Sequence, residues 1–503
     1  MSSTAVEDSL SPPSSPNRTN HQRKRRRRRR SSTNSMMSYD QKNPRYVPPW
    51  TTPYVIGIGG PSGSGKTSVA SKIVSMINVP WTVLISLDNF YKPLTAEESK
   101  RAYRSEYDFD EPAAIDLDLA YKCISDLKEG KKTDIPIYSF VNHNRVPGKT
   151  IPIYGASVVI LEGIYGLYDK RLLDLMDIKI YVDADLDVCL ARRLSRDIVS
   201  RGRDLNGCID QWERFVKPNA VKYVKQTMKN ADAIIASMGE NTIAVTLLVD
   251  HIKSRLDAKS EKHIKELNRL CEISSGHKYI TFSSNPKVME LEQTPQVKVI
   301  LTMIVDKDID RDSFVFYIDR FAMILLSRAL DDLPVHRQES LTTSSGYHIN
   351  NALKCNFDQI TSVSLIRSGD CFMKSVRKTI PSITIGKLLI QSDSLTGEPQ
   401  LHGEFLPKNI SEFQKILVLQ GQVITGTSTL MAIQVLLDYG VRPENMTLTV
   451  FLATEIGLKR IINAFGNKIA IVVGKIIMNQ DMKQSHMKWA SSRFVDTKYF
   501  GCK

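Results

Sequence analysis

The octet Gly60-Pro61-Ser62-Gly63-Ser64-Gly65-Lys66-Thr67 constrains this chain more than any other stretch, because it meets the pattern GxxxxGK[ST] at every restricted position. The apolar run Tyr54 to Ile58 before it reads as a buried strand. Lys66 to Ile77 after it reads as a helix, with Val69, Ile73 and Ile77 along one side. Strand, glycine loop and helix in that order make an anion cradle. The glycines let successive N–H groups turn inward, and the helix N-terminus adds its dipole. Lys66 supplies a mobile positive charge for β- and γ-phosphates, and Thr67 a hydroxyl for Mg²⁺. A chance glycine-rich turn is the bland alternative, and the flanking strand and helix argue against it. ATP with Mg²⁺ is the expected ligand.

The cradle predicts an α/β fold, and the rest of the first half agrees. Thr82 to Leu87, Ser157 to Leu161, Ile178 to Val182 and Ala233 to Ile235 are short apolar runs separated by helical stretches. That alternation predicts a P-loop NTPase-type parallel sheet covered on both faces. A helix after Asn241 is expected to end near Leu256. A mixed segment at 258–279 reads as a linker: it is charged and helical through Leu270, then Ser274-Ser275-Gly276. A second α/β block follows over 280–503. In it Val297 to Leu301 is extended or helical, Ile416 to Leu419 and Thr447 to Leu452 read as strands, and Ser428 to Asp438 reads as a helix. Four segments are therefore expected in the 503 residues: a tail at 1–50, a P-loop domain at 51–257, the linker, and the second domain.

The net charge of +14 suggests nucleic acid, but most of it is local. Eight basic residues form the run Arg23 to Arg30, and without them the balance falls to +6. The run lies in a Ser/Pro/Asn-rich stretch with too little apolar surface to offset the entropy of ordering it. A disordered basic tail follows, either a solvated segment or a nuclear-import signal, with nucleic-acid contact expected to be nonspecific at most. There is no run of about 18 apolar residues and no signal-peptide core. The seven cysteines are scattered without a CxxC pair. A cytoplasmic chain is expected, with nuclear entry resting on the Arg23–Arg30 run.

A P-loop alone does not separate a kinase from a switch. Asp88 closes the strand Thr82 to Leu87, and Glu162 closes the strand Val158 to Leu161. The C-terminal ends of parallel strands face the ligand crevice. A carboxylate there can take a proton from an attacking hydroxyl or hold a metal ion. Either acid taken singly could be an ordinary cap or loop residue. Arg192, Arg193, Arg196, Arg201 and Arg203 then crowd one stretch of twelve positions. Guanidinium forks suit phosphate oxygens and the charge of a transferring phosphoryl group. A surface helix paired to Asp197 and Asp204 is the plain alternative.

The motifs SLDNFYK at 86–92, YDFDEPAAID at 107–116, IPIYSFVNH at 135–143, LEGIYGLY at 161–168 and RRLSRDIVSRGRD at 192–204 join the P-loop. With them, residues 54–255 resemble uridine–cytidine kinases. The resemblance implies ATP-dependent phosphorylation of uridine or cytidine in pyrimidine salvage. Asp88 would be the general base on the ribose 5′-hydroxyl, with Lys66 and Arg196 acting on the phosphates. Asp110 and Arg193 would hold the ribose 2′- and 3′-hydroxyls. Tyr138, Phe140 and His143 would line the pyrimidine pocket, with Ile164 beside the base and Gln211 near the nucleoside. Thr67, Asp88 and Glu162 would serve Mg²⁺, and Arg196, Arg201 and Arg203 would form a lid. A homo-oligomer, a tetramer, and inhibition by pyrimidine triphosphates are implied in the same way.

Residues 280–503 resemble uracil phosphoribosyltransferases, through DRDSFVFYIDR at 310–320, LIRSGD at 365–370, IGKLLIQSD at 385–393, ITGTSTLMAIQVLLDYGV at 424–441 and KYFG at 498–501. The whole thus resembles fungal-type uridine kinases with a fused second domain. Arg367 and Thr425 keep the pattern, but three positions depart from it. Gln420 stands where the family has an acid, Thr427 where it has a glycine, and Ser392 where it has an arginine. The stretch Ser491 to Thr497 replaces a glycine-rich loop. A catalytically inactive domain with a packing or regulatory role is expected. The competing readings are a bifunctional kinase–transferase and a basic factor using the P-loop as a switch.

Overall fold

Five strands whose apolar residues point to both faces assemble into the first sheet. In chain order they are β1 (Tyr54–Gly59), β2 (Thr82–Ser86), β5 (Val158–Glu162), β6 (Ile178–Asp183) and β7 (Ala233–Ala236). All neighbours are parallel, in the order β2-β5-β1-β6-β7. Side chains alternate between faces along each strand. Val55, Val159 and Leu161 therefore join one buried cluster, while Ile56, Ile58, Val158 and Ile160 join another on the opposite side. This computed structural model describes residues 46–79, 82–104, 106–201, 204–236, 242–272, 285–393, 397–479 and 492–501. The Arg23–Arg30 run and Arg203 lie outside the described residues.

Between β2 and β5 stands an antiparallel hairpin of β3 (Thr133–Ser139) and β4 (Asn144–Ile153). No periodicity in the sequence predicts it. Pro136, Pro147 and Pro152 interrupt its pattern, and proline is tolerated in strands only where a ladder N–H is dispensable. The apolar run Val297 to Leu301 belongs to a helix, Pro295–Val305. The second sheet has seven strands in the order β13-β12-β11-β14-β15-β16-β8. These are β8 (Val288–Glu290), β11 (Ile360–Ile366), β12 (Thr384–Ser392), β13 (Pro399–Phe405), β14 (Lys415–Val423), β15 (Met446–Thr454) and β16 (Ala470–Ile477). Only β12 and β13 pair antiparallel. A separate hairpin joins β9 (Val335–Thr342) and β10 (His348–Cys355).

The segment expected as a linker from 258 is helical through 272. One helix runs unbroken over Thr242–Glu272, a stretch without glycine or proline. Its first half buries Val245, Leu248, Val249 and Ile252 against the first sheet. Its second half presents His263, Leu267 and Leu270 at intervals of four and three, one helix face, to the second domain. There Arg460 donates to the Leu267 carbonyl at 2.8 Å and Asn463 to the Leu270 carbonyl at 2.7 Å. His263 bridges Tyr46 at 3.0 Å and Glu398 at 2.5 Å. A helix whose two halves enter two cores couples the domains mechanically. Among the described residues no helix is long and apolar enough to cross a membrane.

Candidate active site

The parallel register brings the candidate acids together. Ser86 pairs with Glu162, and Glu162 pairs with Ile58, so β2, β5 and β1 end side by side above the P-loop. Asp88 lies two residues beyond, on the 3₁₀ turn Leu87–Phe90, where the Ser86 hydroxyl accepts its backbone N–H at 3.3 Å. Glu162 is buried at 6% exposure. The loop needs its glycines. Gly63 has φ +86°, and a Cβ there would stand 2.4 Å from the Cys189 carbonyl oxygen. Gly60 has φ +147°, with the Val182 carbonyl at 2.3 Å from the same imagined atom.

Lys66 is buried and donates to the Pro61 carbonyl at 2.9 Å. Burial pushes its amine pKa down, and the charges of Glu162 and Asp88 oppose that. Helix Leu186–Arg201 supplies the arginines. Arg193 donates to the Ser62 hydroxyl at 3.0 Å, with Asp110 at 3.7 Å and Asp197 at 3.6 Å. Arg196 donates to Asp197 at 2.9 Å. Asp197 is fully buried, so the pairing expected of a solvated face instead aims two arginines at the P-loop. Asp204 caps the next helix through the Gly207 N–H.

One cleft of about 300 Å³ gathers most of the predicted set. Ser62, Gly63, Gly65, Lys66, Thr67, Asp88, Asp110, Tyr138, Phe140, His143, Glu162, Ile164, Arg193, Arg196 and Gln211 all line it. Gly60, Pro61 and Ser64 shape the loop from behind, with Ser64 fully buried. Arg201 ends its helix, and Arg203 lies outside the described residues. The β3–β4 hairpin delivers Tyr138, Phe140 and His143. His143 at its tip has φ +46°, and its ring stacks on Phe109 at 5.3 Å. Arg145, from the same hairpin, donates to the carbonyls of Phe90 and Tyr91 at 3.0 and 2.7 Å and so ties the hairpin to the loop of Asp88.

Four further aromatics line the cleft without a role predicted from the sequence: Tyr91, Tyr107, Phe109 and Phe215. The first three lie within the quoted motifs and pack on one another, Tyr91 against Phe109 at 5.9 Å and Tyr107 against Phe109 at 4.8 Å. Phe215 comes from a helical segment containing two wide π turns, Trp212–Val216 and Ala220–Val224. Pro218 between them removes a backbone donor, a local cause for shifted helical bonding that no periodicity reveals.

Asp110 is enclosed. Burial pushes its carboxyl pKa up, and Arg193 opposes the shift. A buried carboxylate beside a guanidinium suits paired hydroxyls, and the surrounding rings suit a flat heterocycle. Thr67, Asp88 and Glu162 offer one hydroxyl and two carboxylates on the phosphate side, the hard oxygen donors that fit Mg²⁺ carried on a nucleotide.

The second domain has a smaller cleft of about 70 Å³ lined by Arg367, Gln420, Thr425, Gly426, Ser428 and Arg493, among others. Three of its polar side chains are bonded to side chains just outside it. Gln420 accepts from Thr429 at 2.5 Å, the Thr425 and Thr427 hydroxyls pair at 3.0 Å, and Arg493 donates to Ser392 at 3.3 Å.

The fold and the first cleft define a P-loop nucleotide-binding domain of the phosphotransferase type, joined to a phosphoribosyltransferase-type domain. The model of the Phosphoribulokinase / Uridine kinase family matches residues 55–244, and that of Uracil phosphoribosyltransferase matches 291–487. The chain is 64% identical to a uridine kinase of Saccharomyces cerevisiae, over 92% of this chain and 91% of that protein. It is 38% identical to a uridine kinase of Schizosaccharomyces pombe, over 86% and 92%. It is 39% identical to the mouse protein uridine-cytidine kinase-like 1, over 82% and 73%. The chain belongs to the uridine kinase family, in its form with a C-terminal uracil phosphoribosyltransferase-like domain.

Proposed function

We propose that the chain transfers the γ-phosphoryl group of ATP to the 5′-hydroxyl of uridine and cytidine, a step of pyrimidine salvage. The observation that carries this reading is the single cleft in which P-loop, two strand-end acids, buried Asp110–Arg193 pair and aromatic cage converge. The P-loop N–H groups, Lys66 and Arg196 bind the phosphates. Asp110 and Arg193 take the ribose hydroxyls, and a nucleoside lacking one would leave buried charge unpaired. Tyr138, Phe140 and His143 hold the pyrimidine, with Ile164 and Gln211 alongside. Asp88 accepts the proton as the ribose oxygen forms its bond to phosphorus; the bond from phosphorus to the β,γ-bridging oxygen breaks, and ADP leaves. Thr67, Asp88 and Glu162 would hold Mg²⁺, which neutralises charge between the phosphates. Arg201 and Arg203 complete the reading as lid residues.

A panel of nucleosides with ATP and Mg²⁺ tests the proposal. Labelled phosphate is expected on uridine and cytidine. No transfer to any pyrimidine ribonucleoside would overturn it. The second domain is proposed to be catalytically inactive, because Gln420 and Thr427 are engaged with neighbouring side chains where the family pattern needs an acid and a glycine. Production of UMP from uracil and phosphoribosyl pyrophosphate by the full chain would refute that. The reading includes a homo-oligomer, checked by light scattering. It also includes a cytoplasmic site, which fits seven cysteines scattered along the sequence without a CxxC pair.

A further inference from the structure

The loop carrying Asp110 is held by three groups that do not line the cleft or meet the nucleoside pocket through a catalytic atom. Asn219 donates its amide to both carboxylate oxygens of Asp108, at 3.0 and 2.8 Å. Asp108 in turn accepts the Asp110 backbone N–H at 2.9 Å. On the other side, the Tyr165 hydroxyl donates to the Asp110 carbonyl. The peptide groups flanking the Asp110 side chain are thus fixed from both directions. Asn219 is 9% exposed and lies between the two π turns, in the same segment that delivers Phe215 to the cleft. Its amide has a defined orientation, because only the donor end satisfies a carboxylate.

We propose that Asn219, acting through Asp108, is a positioning residue for ribose recognition: it sets the Asp110 carboxylate opposite Arg193 and so determines how strongly a ribonucleoside is preferred over a deoxyribonucleoside. The proposal rests on the nucleoside reading given above. The carboxylate of Asp110 stands 3.7 Å from the Arg193 guanidinium, longer than a direct hydrogen bond, which leaves the pair room to share hydroxyls between them. Small displacements of the loop change that spacing directly. The same segment bears Gln211 and Phe215, so the loop and the nucleoside-side wall are tied to one support. Asn219 touches neither the P-loop nor the acids Asp88 and Glu162 in any hydrogen bond described, so its influence should fall on the nucleoside and not on ATP.

The test compares kcat/KM for uridine and 2′-deoxyuridine in the full chain and in two variants, Asn219→Ala and Asn219→Asp. Loss of the charge-assisted bonds should raise KM for uridine about tenfold. The uridine-to-deoxyuridine ratio should fall by a similar factor, with KM for ATP unchanged within about twofold. Asn219→Asp keeps the shape but sets carboxylate against carboxylate. Its ratio, read against wild type at the same pH, should recover as pH falls, because a proton shared between the introduced carboxyl and Asp108 restores a donor. A purely structural role would not give that recovery. If Asn219→Ala does not fold, the pH profile of Asn219→Asp decides. A ratio equal to wild type in a folded variant, or a rise in KM for ATP matching that for uridine, overturns the inference. Failure of the wild-type chain to phosphorylate uridine would instead overturn the functional reading beneath it.

Discussion

Replacing Asp88 by Asn should remove chemistry while leaving the fold intact. The amide is isosteric with the carboxylate, and the turn is held by the Asp88 backbone N–H on Ser86, which the change leaves in place. The melting temperature should therefore stay close to that of wild type. The proton acceptor is lost, and positioned general bases contribute about 10²–10⁴ in rate. A fall in kcat of about 10³ is expected, which corresponds to about 4 kcal/mol of barrier. At saturating Mg²⁺, KM for ATP should change little, since Lys66, Thr67, Glu162 and the loop N–H groups persist. A second effect follows from Lys66. Burial lowers its pKa, and Asp88 is one of two carboxylates that oppose the shift. Removing that negative charge lowers the pKa further, so Lys66 loses its proton at a lower pH. The alkaline limb of the kcat/KM profile should accordingly move to lower pH in the variant. Steady-state kinetics across pH with coupled ADP detection reads both effects. A kcat within about threefold of wild type would refute Asp88 as the base, and an alkaline limb moved to higher pH would refute the electrostatic link to Lys66.

Gly63→Ala places a Cβ 2.4 Å from the Cys189 carbonyl at positive φ, so it should cost about 1–3 kcal/mol and lower the melting temperature, with KM for ATP rising. An unchanged thermal melt would count against that geometry. Chelation of Mg²⁺ should abolish turnover and added Mg²⁺ restore it, and Glu162→Gln should need about tenfold more Mg²⁺ for half-maximal rate; a magnesium titration checks both. Tyr154→Phe deletes the 2.7 Å bond to Asp438, which joins the base of the β3–β4 hairpin to the second domain. A loss of about 1–3 kcal/mol in urea unfolding is expected, because the partner is charged.

Much of the site was legible because its pieces are local. Strand, glycines and Lys66 occupy one short stretch, and the acids at Asp88 and Glu162 follow buried strands whose ends must face the crevice. The hairpin β3–β4 was not legible, since its prolines and half-exposed faces give no clean period. The sequence predicts an end near Leu256 for helix 242–272 because its apolar stripe changes partner midway, although no glycine or proline breaks it. Phe109, Phe215 and Asn219 carry no signal as separate letters; only tertiary contacts distinguish a ring in a cleft from a ring in a core.

By itself, then, the sequence determined the fold class, the phosphate cradle at Gly60 to Thr67 and the chemical type of the groups near it. It could do so because the backbone freedom, charge and periodicity involved act over a few neighbouring residues. Tertiary structure alone decided which groups meet. Parallel register set Glu162 beside Ser86, burial drew Lys66 and Asp110 out of water, and contacts between segments far apart in the chain joined Asn219 to Asp108 and Tyr154 to Asp438. Those interactions depend on distances across the fold, and distance along the chain does not encode them.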